Sequence, residues 1–292
     1  MTLTARTDDP PILVVPTEST DSPRVVRRRR LGLWLAVAWL GVVAAAALLA
    51  DFLPIADPTA NVAVGHSAPF TSWPEVLGTD RLGRSVTARL AHGAQISLIV
   101  GVLATVFGMV VGVAAGMFAA IWKPVDFFVG ALLDSLLAVP GVVLLLALAA
   151  TMGAGVPQLV LGLALYALPT FARLARGTAR VVRHQPYVDA ARMIGTRPLR
   201  LLTRELLPAV MRPVVAYAVV VLASLMVAEA AVSYLGLGVP PPTPTWGGMI
   251  SDGQSSLSSA PYLVLVPAMV LFGTVLSIGV IGRWWQSKEA TA

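Results

Sequence analysis

Two carboxylates, Asp134 and Glu229, lie inside long apolar runs and carry the most chemical potential in this sequence. An ionisable group at membrane depth is expensive, so it either lines a polar pathway or proton relay, or bonds one helix to another. Both readings stay open at this level. The common catalytic sets are missing. The sequence has no cysteine, which excludes disulfides, iron–sulfur clusters and thiol chemistry. Its two lysines, Lys123 and Lys288, do not follow glycine, so there is no GxxxxGK loop to cradle phosphates. His66, His92 and His184 are scattered without an HExxH spacing, and no serine or threonine has the neighbours of an activated nucleophile. The expectation is no catalytic residue, no metal site and no cofactor bound by this chain.

The elements that must hold these residues are set by hydropathy. Hydrophobic residues make up 57% of the 292 and charged ones 12%, with mean hydropathy +0.79, against roughly 25% charged in soluble domains. Six apolar helices are predicted, over 31–53, 96–121, 126–151, 157–175, 213–237 and 262–282, each near the ~20 residues that cross a bilayer core. The fold class is an all-α polytopic membrane protein. Residues 1–30 read as a disordered, basic N-terminus, 54–95 as an extracytoplasmic segment, and 96–283 as a five-helix domain with a cytoplasmic loop at 173–212. Residues 284–292 form a tail. The run Arg27–Arg30 ahead of the first apolar segment imitates a signal peptide. That segment exceeds the ~7–15 residues of a signal h-region, so an uncleaved first helix is expected. Pro140, Pro169 and Pro267 fall inside spans and predict kinks. Gly108, Gly112 and Gly116 make two overlapping GxxxG patterns, a flat face for tight packing within the chain or with a partner.

Basic residues set the orientation. Placing the N-terminus inside puts eighteen of them on the cytoplasmic side, nine between Arg173 and Arg212, against three outside, Arg81, Arg84 and Arg89. Both termini are therefore expected in the cytoplasm. The net charge of +6 has the same origin, so no nucleic-acid partner is expected.

The arginine-rich stretch YVDAARMIGTRPLRLLTRELLP, residues 187–208, is helix-compatible, with Pro186 at a first helical position and Gly195 at a C-terminal cap. At 3.6 residues per turn, Tyr187, Ala190, Ala191 and Ile194 share one side. Thr196 is expected to cap a second short helix opened by Pro198. Small alanines leave room for another protein, and the arginines would alternatively meet anionic lipid headgroups of the membrane.

Asp189-Ala190-Ala191, Gly195 and Leu207-Pro208 together resemble the EAA motif of permeases of binding-protein-dependent ABC importers. The segments LGTDRLGR (77–84), GAQISL (93–98), ARLARG (172–177), EAAVSYLGLG (229–238) and PPTPTWG (241–247) are similar to the dipeptide and oligopeptide subfamily, second permease subunit. The resemblance implies the ABC type I importer permease fold in a bacterial inner membrane. It implies that Tyr187, Asp189, Ala190, Ala191, Gly195, Leu207 and Pro208 form a coupling segment docked on a cytoplasmic ATPase. The partners implied are a second homologous permease, one or two ATPase subunits that carry ATP and Mg, and an extracytoplasmic peptide-binding protein. Trp246, Pro241 and Pro242 lie in the segment expected to dock that protein. Asp189 replaces the motif's glutamate, and Glu205 stands where relatives often carry histidine. The alternative function is an ion-coupled carrier or channel that uses Asp134 and Glu229.

Overall fold

The computed structural model describes residues 23–289 apart from 64, 66 and 71–74. Residues 1–22 of the expected basic N-terminus, His66 and residues 290–292 lie outside that set. Apart from two isolated bridges, Asn61 with Arg84 and Thr79 with Ser85, regular structure among the described residues is helical. In chain order the helices are α1 (Pro23–Leu49), α2 (Val86–Ile121), α3 (Lys123–Ala138), α4 (Gly141–Met152) and α5 (Val156–Val182). Then come α6 (Pro186–Met193), α7 (Pro198–Leu201), a π turn (Leu202–Leu206), α8 (Leu207–Tyr234), α9 (Trp246–Gly253) and α10 (Tyr262–Glu289). Five spans are long and apolar enough to cross a membrane; α3 and α4 together reach that length and hydropathy as a pair bent by 91°, the geometry of a broken span or a re-entrant loop.

Several boundaries differ from expectation, each for a local reason. Helix α2 starts at Val86 instead of 96, because Ser85 accepts the Ala88 N–H at 3.2 Å and caps it. Its first turns hold Arg89, His92 and Gln95, whose polarity made them read as part of the outer segment. The helix expected over 126–151 breaks at Pro140, which excludes the helical conformation from Val139, φ −87° and ψ 121°. Helix α5 continues through the start of the expected loop to Val182, and α8 resumes within its end at Leu207. The true interruption between them is short and itself largely helical.

The core is the α2–α5 pair. A Cβ on Gly108 would lie 2.9 Å from the Ala164 carbonyl, and one on Gly112 2.8 Å from that of Leu168. Gly116 meets Ala172 more closely still. The glycine face therefore packs within the chain, backbone against backbone. Helix α8 closes this core through Val210, Val214 and Leu225, with Leu206 of the π turn beside them. Helix α1 lies on α10, where Trp39 covers Gly273 and its Nε1 donates to Thr274 Oγ1 at 3.2 Å. Outward-facing Trp34, Phe127, Phe128 and Phe272 are exposed, as expected where lipid tails replace water.

Candidate functional site

The stretch singled out by its composition folds as a compact elbow at the end of α5. Gln185 is extended, Pro186 occupies the first turn, and α6 runs to Met193. Gly195 then takes φ +81°, a left-handed conformation that glycine adopts without penalty. Its N–H donates to Arg192 O at 2.9 Å, and the Thr196 N–H donates to Ala191 O at 3.1 Å. These two bonds are a Schellman cap, so Gly195 ends the helix as expected. Thr196 does not cap the next helix. Arg197 holds the N-cap position of α7, which has no side-chain cap bond.

Val188 fastens the elbow. It is fully buried against the core of α5 and α8, with Ala191 half-buried beside it one turn on. Burial of one such side chain contributes about 1.5–3 kcal/mol. The opposite face projects Tyr187, Asp189 and Ala190, and ends in Met193 and Ile194, 83% and 84% exposed. Asp189 Oδ1 accepts from Arg192 Nη1 at 3.1 Å within the helix, a surface pair contributing about 0–1 kcal/mol. Val188 and Met193 were not predicted. A helix of eight residues, about two turns, is too short for its periodicity to reveal which apolar residue faces the core.

Leu207 and Pro208 form the return. Proline has no N–H, so the ladder bond from residue 208 to 204 cannot form. The chain widens into the π turn just before it, and the Leu207 N–H reaches back to Leu202 O. Leu202 and Leu206 drop into the core while Pro208 stays exposed. Between α6 and this return lies a hollow of about 980 Å³ lined by Ala191, Ile194, Arg197, Arg200, Arg204 and Glu205, among others. Just ahead of the elbow, Arg183 Nη1 donates to Ala120 O at 2.7 Å, tying the end of α5 to the last turn of α2.

The other predicted residues separate. Asp134 is exposed on α3 and pairs with Arg173 Nη2 of α5 at 2.7 Å. Asp126 pairs with Arg176 and Arg180, the latter at 2.7 Å, so the two acidic groups of α3 face three arginines of α5. Glu229 is fully enclosed on α8, where Ser233 Oγ donates to Oε1 at 2.8 Å. The two carboxylates therefore share no site. Trp246, expected at a docking rim, is completely buried. Its Nε1 donates to Leu90 O at 3.2 Å and its ring lies over Gly93, seating α9 between α2 and α8. Pro241 and Pro242 are exposed.

Residues 108–281 match the family model described as binding-protein-dependent transport system inner membrane component. The chain is 33% identical over 262 residues to a protein of Brucella suis named as a peptide transport system permease, covering 89% of this chain and 86% of that one. It is 33% identical over 207 residues to the glutathione transport system permease protein GsiD of Pectobacterium atrosepticum, covering 70% and 69%. Among solved structures, the methionine ABC transporter MetNI in an inward-facing form matches with a TM-score of 0.57 at 19% identity, over 68% of this chain and 95% of that one. This is a likeness of fold. Nothing in these similarities supports an ion-coupled carrier. The chain belongs to the family of binding-protein-dependent transport system inner membrane components, the permease subunits of ABC importers.

Proposed function

We propose that this chain is a peptide-importing permease in a bacterial inner membrane, with both termini cytoplasmic and the 187–195 elbow as its coupling segment. One observation carries the coupling role. An apolar tip, Met193 and Ile194, stands in solvent on a helix that Val188 fixes to the core. Exposed apolar side chains on a rigid mount serve to contact another protein, and a tip tied to α2 and α5 transmits a push to the membrane core. The ATPase subunits would bind ATP and Mg, and a second permease would complete the pathway. The peptide cargo is supported by relatives named for peptide and glutathione transport. The eighteen basic residues on the elbow side and at both ends of the chain support the orientation.

Ala190→Trp tests the coupling role. Ala190 is exposed, so added bulk meets a partner before it meets the chain, whereas Ala191 is half-buried against the core. The variant is expected to reach the membrane in normal amount and lose most ATP-driven peptide uptake in vesicles. Undiminished uptake would remove the elbow from the mechanism.

A further inference from the structure

A second charged cluster lies at the far end of α2, about 45 Å along its axis from the elbow. Asp80 Oδ1 accepts the N–H groups of Leu82 and Arg84, both at 2.9 Å, and its Oδ2 accepts from Arg84 Nε at 2.7 Å. Arg89 Nη2 donates to Asp252 Oδ2 at 2.8 Å, and Arg84 Nη2 lies 3.5 Å from the same oxygen. The Arg84 and Arg89 side chains are only 9% and 4% exposed. They line a cavity of about 220 Å³ with Val86, Met249 and Leu263 as apolar walls and Arg81 and Leu82 at its rim.

Two features of this cavity point to an anionic ligand. Its lining carries three arginines against two aspartates, Asp80 and Asp252. Arg89 Nη1 is enclosed without a hydrogen-bond acceptor among the described residues, 3.8 Å from the nearer Asp80 oxygen. A carboxylate would satisfy both the charge and the free donor, and guanidinium forks match its geometry. The frame is fixed in advance. Gly78 and Gly83 hold positive φ in the loop, and the Tyr262 hydroxyl donates to Thr79 O at 3.0 Å.

We infer that this cavity is a socket for an aspartate or glutamate side chain of the extracytoplasmic binding protein. The inference rests on the orientation and family reading above. A protein is favoured over cargo by the rim. Leu82, 61% exposed, stands beside a charged floor, the mixture of apolar and arginine contacts typical of protein interfaces.

The test uses the whole importer in nanodiscs and its own binding protein, with affinity read by fluorescence anisotropy. Arg81→Glu, whose side chain contacts Ser255 at the surface, is expected to weaken docking about tenfold, with a larger effect at low than at high ionic strength. Arg89→Lys keeps the charge, loses the fork, and is expected to weaken docking severalfold. Co-elution of the ATPase subunits reports that each variant has folded and assembled. An acidic-to-arginine change in the binding protein that restores affinity for Arg81→Glu would confirm the contact. Unchanged docking in an assembled Arg81→Glu importer overturns the socket. Unchanged docking with reduced peptide uptake overturns it too, since the cavity would then serve the cargo's carboxylate. A wild-type chain that retains no ATPase would fail at the earlier step, the functional reading, and take the socket with it.

Discussion

Gly195 shows how one residue sets the shape of the elbow. Space is not its constraint, since nothing lies within 4 Å of where a Cβ would sit. Its φ of +81° is, and an alanine there meets a penalty of about 1–2 kcal/mol. Gly195→Ala is expected to loosen the Schellman closure and speed hydrogen exchange across 186–197, while the melting temperature of the whole protein stays nearly constant. Hydrogen–deuterium exchange read by mass spectrometry checks both halves. This residue was legible in the sequence because glycine and proline act locally, and Pro186 was legible for the same reason. Thr196 was not. Its side chain has the chemistry of a cap, but α7 starts one residue further on, behind Arg197, a register set by the turn as a whole.

Among the elements, the α2–α5 pair carries the most. Gly116→Val would set its Cβ against the Ala172 carbonyl and the Arg176 N–H, both backbone groups that cannot yield cheaply. Overpacking of this kind costs about 1–3 kcal/mol or more, so the expected outcome is lower yield and a fall of several degrees in the thermal aggregation temperature. Gly177→Val is the control, because nothing lies within 4 Å of that position. The spacing of Gly108, Gly112 and Gly116 announced a close contact in the sequence. Which helix supplies the other side depends on how the chain returns, and periodicity holds no information on that. The same gap explains α3 and α4. Pro140 foretold a kink, while the size of the bend, 91°, goes with the packing of α3 on α2 and α5 and of α4 on α5.

For the whole molecule, the orientation and the two functional ends make one experiment. The chain has no cysteine, so single cysteines report cleanly. Met193→Cys at the elbow tip is expected to react with an impermeant maleimide only in inside-out vesicles. Leu82→Cys at the socket rim is expected to react only in intact spheroplasts. Reversed labelling would invert the topology and remove both docking proposals together. By itself the sequence determined that the chain is helical and membrane-embedded, that basic charge gathers in the 173–212 stretch, that common catalytic sets are missing, and that 187–208 is a polar stretch broken by Gly195 in an apolar chain. These follow from composition and short-range spacing, which act before the chain folds. Only the tertiary structure separated Asp134, exposed and paired with Arg173, from Glu229, sealed between helices. It alone buried Trp246 and brought Arg89 to Asp252, 163 residues away. Such contacts depend on where helices return in space, and a carboxylate's burial or pairing is decided by that return, not by its neighbours in the chain.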